Sequence, residues 1–127
     1  MRDELARYPH LKPQLQVIKT TTRPDSEAYI RRKQAILASV GIDCIIHDLS
    51  DGTASLPGLI EQFNADPAVH AVLVQMPLNP ALQVNESTIM SLLSPGKDVD
   101  GFHPLNLMNP GGIVSCTTAG ILELLAE

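Results

Sequence analysis

Eight consecutive residues, Lys97-Asp98-Val99-Asp100-Gly101-Phe102-His103-Pro104, set two carboxylates and an imidazole around a glycine turn. Three chemistries suit such a segment. A phosphatase-type DxD nucleophile needs an apolar strand leading into it, and the lead-in here is Ser94-Pro95-Gly96-Lys97. A metal site could draw on Asp98, Asp100 and His103, but no HxxxH helix or Cys/His cluster accompanies them, so no metal is expected. The third use is a fixed carboxylate that accepts a ligand's pair of N–H groups, a geometry a carboxylate serves well. Its bland counterpart is a turn that spends its aspartates on backbone hydrogen bonds.

Two further groups could join this segment. Gln75 directly follows the apolar run Val69-His70-Ala71-Val72-Leu73-Val74, and Pro77 ends further ladder pairing. A carboxamide at a strand end can donate and accept at once, holding an amine and a ligand atom together. It can equally be a solvated strand terminus. Tyr29 and Lys33 lie four apart in a helical pattern, and with Ile36, Leu37 and Val40 they form one face, while Arg31, Arg32 and Gln34 point elsewhere. That face is expected to bury its C-terminal half and bring Lys33 to the rim. There Lys33 either snorkels into water or is desolvated enough to shed its proton and act as acid or base. Tyr29 is either core edge or a flat platform for an aromatic ligand.

The elements that must position these groups follow from periodicity and punctuation. Leu15–Thr20 reads as a strand and Thr20–Ser26 as a turn. The next helix, capped by Asp25 or Ser26, runs to about Val40, with Gly41 at its end. Ile42–Leu49 is a second strand, Asp51–Ala54 a turn, and Ser55–Asn64 a helix that tolerates Pro57 in its first turn. Val69–Val74 is the most apolar strand and is expected to be central. Asn85–Leu93 is a helix, residues 94–112 a long loop with a helical turn near Pro104, and Thr117 or Thr118 caps a final helix through Leu125. A short helix is expected over residues 2–8, limited by Pro9. Strands alternating with helices imply an α/β fold: three layers, a mostly parallel sheet with helices on both faces. Ligands bind such sheets outside the carboxyl ends of the strands, where Gln75 and the Thr21–Ser26 turn would lie.

At 127 residues this is one domain, residues 1–127, large enough for a real core. Apolar residues at 44% and charged residues at 18% exclude a disordered chain. A net charge of −5 argues against nucleic acid and anionic membrane as partners. No apolar run reaches the ~20 residues that span a bilayer. Met1-Arg2-Asp3-Glu4-Leu5 is expected to be neither signal nor transit peptide. Cys44 and Cys116 form no CxxC and read as reduced thiols. His10, His47 and His70 share no spacing and read as structural or solvated. Gly111-Gly112 is no dinucleotide fingerprint, and neither GxGxxG nor a Walker A sequence occurs.

Taken in order, four segments resemble the bifunctional methylenetetrahydrofolate dehydrogenase/methenyltetrahydrofolate cyclohydrolase family in its N-terminal, folate-binding catalytic domain. They are Ser26-Glu27-Ala28-Tyr29-Ile30-Arg31-Arg32-Lys33 (S-x-x-Y-x-x-x-K), Val74-Gln75-Met76-Pro77-Leu78 (V-Q-x-P-L), Lys97 to Pro104 with Asn106, and Cys116-Thr117 leading into Gly120-Ile121. The resemblance spans about residues 14–127. It implies that Lys33 is the catalytic lysine, that Gln75 hydrogen-bonds and tunes it, that Asp100 anchors the pterin ring, and that Tyr29 stacks on the folate. It implies a tetrahydrofolate substrate, one-carbon metabolism, a cytoplasmic enzyme (an organelle matrix is the other option) and a family homodimer, with this piece a monomer. NAD(P) is implied for the full-length enzyme, on a separate nucleotide-binding domain absent from this chain. The chain alone is therefore expected to bind no cofactor and to retain at most cyclohydrolase activity.

The sequence departs from the family pattern at Thr21-Thr22-Arg23-Pro24-Asp25-Ser26, which loses a glycine and gains a cation, and at Ser115-Cys116-Thr117-Thr118, which loses two prolines. These changes keep open a second reading, a non-catalytic folate-binding or interaction module. A third, an unrelated α/β domain with chance matches, predicts that Lys33, Gln75 and Asp100 do not meet.

Overall fold

The structure, a computed structural model, describes residues 5, 7, 8, 10–109 and 111–126. The helix expected over residues 2–8 falls largely outside this set. Three parallel strands form the sheet: β1 (Gln14–Lys19), β2 (Asp43–Asp48) and β3 (Ala71–Val74), in the order β2-β1-β3. Register runs from Gln14 opposite Asp43 and from Leu15 opposite Ala71.

The alternation of β1 builds two cores. Leu15 and Val17 face one way and meet Leu73 of β3 and Ile30 of helix α1 (Pro24–Ser39), with Leu37, Cys44 and Ile46 packed against them. Ile18 faces the other way, with Val72 and Val74. It meets Leu56, Ile60 and Phe63 of α2 (Leu56–Ala65), and Ile89 and Met90 of α3 (Glu86–Leu92). Helices thus cover both faces, giving the three layers expected. A 3-10 turn (Pro80–Leu82) follows β3, and two further helices lie beyond α3: α4 (Pro104–Met108) and α5 (Cys116–Ala126).

Several local expectations need correction. β1, not β3, is the central strand. The outer edge of β3 is instead closed by the acidic loop, where Val72 N–H donates to Lys97 O at 2.7 Å and Val99 N–H to Val72 O at 3.4 Å. An apolar strand can therefore end a sheet when a loop supplies its missing neighbour. The N-cap of α1 is Arg23, without a side-chain cap, and Pro24 takes the first helical position. Asp25 is occupied instead by a bidentate pair with Arg23 and by the Ser26 N–H.

The buried stripe of α1 is also rotated from the expected one. Ser26 and Ile30 are buried, Lys33, Gln34 and Leu37 are half-buried, and Ile36 is 58% exposed. The 4-3-4 run from Ser26 decides the packing, so Ile36 faces solvent and Gln34 reaches inward to Cys44 O. Finally, α5 starts at Cys116. The Ser115 hydroxyl accepts from Thr118 N–H at 3.3 Å, so neither Thr117 nor Thr118 is the cap.

Candidate active site

Three elements deliver four side chains to one cavity at the carboxyl edge of the sheet. Helix α1 brings Tyr29 and Lys33, the exit of β3 brings Gln75, and the loop docked on β3 brings Asp100. With Met76, Phe102 and the Ser115–Thr117 turn they enclose about 240 Å³. Lys33 Nζ lies 4.0 Å from Asp100 Oδ1 and 4.4 Å from the centre of the Tyr29 ring, within cation–π range. Gln75 lines the same space, but its Nε2 donates to Met76 O at 2.9 Å rather than engaging Lys33. Its Oε1 is buried without a partner among the described residues. A buried carbonyl left unpaired costs about 1–3 kcal/mol, so this oxygen is a ready acceptor.

The two aspartates of the loop have separate fates. Asp98 is fully buried. Its carboxylate accepts from Gly101 N–H at 3.1 Å, His103 N–H at 2.7 Å and Asn106 Nδ2 at 3.1 Å. It is the backbone acceptor of the turn. Asn106 extends the brace, donating to Pro95 O at 2.9 Å and accepting from Ile113 N–H at 3.4 Å. His103 is also committed, its Nδ1 accepting from Leu105 N–H at the start of α4.

Asp100, two residues on, is free of these tasks and faces the cavity. Burial pushes its carboxyl above the ordinary range, Lys33 pulls it back, and Asp98 pushes it further up. Directly after Asp100, Gly101 holds φ at +68°, and a Cβ there would collide with Ile113 O and sit 2.9 Å from Ser115 N. The close crossing of residues 113–115 over Gly101 is what brings the Ser115–Thr117 wall to the cavity.

The sequence reading did not single out Met76, Phe102, Ser115, Cys116 and Thr117 as lining residues. Phe102 and Met76 were legible as immediate neighbours of Asp100 and Gln75. Cys116-Thr117 stood out as a segment of the resemblance without a lining role attached, because the Ser115–Thr117 wall reaches the site through the backbone crossing at Gly101.

Residues 1–100 match the family model described as tetrahydrofolate dehydrogenase/cyclohydrolase, catalytic domain. The chain belongs to that family. Among curated relatives it is 40% identical over 132 residues to the bifunctional protein FolD of Chlamydia pneumoniae, covering 98% of this chain and 45% of that protein. It is 42% identical over 123 residues to the bifunctional protein FolD of Chlorobium luteolum, covering 91% and 41%. Its fold is similar to a 5,10-methylenetetrahydrofolate dehydrogenase from the silkworm Bombyx mori (TM-score 0.84, 28% identity, 98% of this chain and 46% of that one). It is also similar to the Trypanosoma brucei dehydrogenase-cyclohydrolase solved with NADP and an inhibitor (TM-score 0.81, 28% identity, 98% and 46%). The chain thus spans less than half the length of the relatives it matches. Family membership and the meeting of Lys33, Gln75 and Asp100 dispose of chance resemblance.

Proposed function

We propose that this chain is the folate-binding catalytic part of an enzyme that oxidises 5,10-methylenetetrahydrofolate and hydrolyses 5,10-methenyltetrahydrofolate to 10-formyltetrahydrofolate. By itself it carries at most the hydrolytic step. The observation behind this reading is the convergence of Lys33, Asp100, Tyr29 and Gln75 on one cavity. Tyr29 offers a flat face for an aromatic ring, and Asp100 an acceptor for the N–H pair at a pterin edge. The orphaned Gln75 Oε1 awaits a donor from ligand or lysine.

In the hydrolysis, water adds to the methenyl carbon and loses a proton. As the hydroxyl so formed gives up its remaining proton to become the formyl oxygen, the bond from that carbon to N5 breaks and N5 takes a proton. The formyl group remains on N10, and one proton is released overall. Lys33 is the group placed to accept and return the proton. The reacting carbon is cationic, and the Asp100 carboxylate offsets charge beside it.

NAD(P) is the cofactor of the oxidation in the whole enzyme. The strand-to-helix turns of this chain, residues 20–23, 49–55 and 75–79, contain only Gly52. They lack the glycines through which a backbone approaches a pyrophosphate. The residues described here therefore do not fit the dinucleotide, and no hydride step is assigned to them. The substrate is a reduced folate. The net charge of −5 disfavours nucleic acid, and no helix among the described residues is long and apolar enough to cross a membrane. We place the enzyme in the cytoplasm and its dimer contacts, as a homodimer, outside this chain.

Hydrolysis of 5,10-methenyltetrahydrofolate by the purified chain and by Lys33→Met tests the reading. The variant is expected to lose at least about 100-fold in rate while still binding reduced folate. Equal rates at the uncatalysed level would instead establish a folate-binding module without turnover.

A further inference from the structure

Lys19 is the last residue of β1, at the end of an otherwise largely apolar run, and it is only 8% exposed. A buried ammonium costs several kcal/mol unless it is well paired. Its partners come from two other elements: the Glu27 carboxylate in the first turn of α1, and Asp48 Oδ2, at 2.8 Å, the last residue of β2. We propose that Lys19 is a positioning residue, which acts through Glu27 to hold α1 so that Tyr29 and Lys33 face Asp100. The inference rests on the functional reading above and adds a residue to its machinery.

The rest of α1 shows why such a tie is needed. The helix enters without a side-chain cap, and Ser26 and Ile30 alone among its residues are fully buried. Leu37 and the Gln34 contact with Cys44 O hold the far half of the helix, which leaves the near half, where Tyr29 turns toward the cavity, resting on Ser26 and Ile30. Glu27 lies between those two anchors, two residues before Tyr29 and six before Lys33, which at 1.5 Å per residue is about 9 Å of rigid helix. A movement at Glu27 is therefore carried to Lys33. The Lys19–Asp48 half of the cluster is charged near neutral pH. Burial works against the Asp48 charge, yet hydrogen bonds from Lys19 and Ser50 hold its carboxyl down at about 2. Asp48 and Glu27 in turn raise the lysine above its usual value.

Glu27→Ala and Asp48→Asn separate positioning from stability, since each removes one partner and both carboxylates are partly exposed. Circular dichroism and urea midpoints first establish that both variants fold. The Lys33 ammonium and Tyr29 ring resonances of the folate-free protein, and the rate of methenyltetrahydrofolate hydrolysis, are then compared with wild type. Glu27→Ala, which cuts the tie to the helix, is expected to shift both resonances and to lower the rate at least tenfold, since a 1 Å misplacement can cost about 100-fold. Asp48→Asn, which keeps the Lys19–Glu27 contact, should change both far less. Lys19→Arg, able to reach both carboxylates, should behave as Asp48→Asn does. Equal shifts in Glu27→Ala and Asp48→Asn, or none in either, would overturn the proposal. A wild-type chain that hydrolyses nothing would defeat the functional reading, and the folate-free resonances would still decide the role of Lys19.

Discussion

Lys33 and Asp100, 67 positions apart in the chain, place Nζ and Oδ1 4.0 Å from each other across the cavity. The separation is that of a loose ion pair in which both groups keep room for a ligand. Neither side chain has another charged partner within 4.0 Å among the described residues.

Asp100 carries a cost of folding that pH reveals. Burial holds its carboxyl above the 3.8 of an ordinary aspartate, only partly offset by Lys33. The folded chain therefore grips this proton more tightly than the unfolded chain does. The resulting stability is full below 3.8 and is lost as pH rises through the folded value. Asp100→Asn should be more stable than wild type at pH 7 in urea unfolding, and the gain should shrink as pH falls toward 3.8. The same variant should bind reduced folate at least about tenfold more weakly, because a charged acceptor is lost.

Gly101→Ala tests the crossing that closes the site. A left-handed φ of +68° costs an L-residue about 1–2 kcal/mol, and the added Cβ would also press on Ile113 O and Ser115 N. A loss of at least about 2 kcal/mol in urea unfolding is expected. Folate affinity should fall with it, although the substitution alters no side chain that faces the cavity.

How far the sequence revealed this site depends on the range over which each signal acts. The α/β layering was legible because alternation in β1 and the three strand–helix successions are local. So was the pairing of Tyr29 with Lys33, fixed by one helical turn. The rotation of α1 was misread because Ile36 completes an apolar pattern on paper while Ile30, a single residue, makes the actual contact. The division of labour between Asp98 and Asp100 was posed by the sequence as alternatives, and the structure gives one role to each. Lys19 was invisible as a buried charge, since only the packing of Glu27 and Asp48 around it makes burial tolerable.

Lys97 opens the same acidic motif, yet its work is architectural. Its Nζ donates to Phe63 O at 2.7 Å, Asn64 O at 3.1 Å and Asp66 O at 2.7 Å, closing the C-terminal end of α2. A cation there satisfies orphan carbonyls and opposes the helix dipole. Lys97→Met should lose about 1.5–3 kcal/mol in urea unfolding, the range for hydrogen bonds to a charged group. Lys33→Met, by contrast, should leave stability close to wild type, so the two lysines part company in a single experiment.

His47 gives a pH dependence of opposite sign to that of Asp100. Its ring packs 4.9 Å from the Phe63 ring, and its Nε2 lies 2.7 Å from Oε1 of the buried Gln16. Burial pushes the imidazole below its usual 6.5. As pH falls through 6.5 the unfolded chain takes up the proton first, so stability is full above 6.5 and declines as pH drops toward the folded value. His47→Gln should keep a donor for Gln16 but lose the ring contact, at a cost of about 1 kcal/mol at pH 7.5. Urea midpoints at pH 7.5, 6.5 and 5.5 should show the gap between variant and wild type closing as the solution becomes more acid. A gap that stays constant would mean that the histidine carries its proton equally in both states. Because Asp100 pulls the other way at lower pH, the slope assigned to His47 must be read from the difference between the two proteins, where the Asp100 contribution cancels.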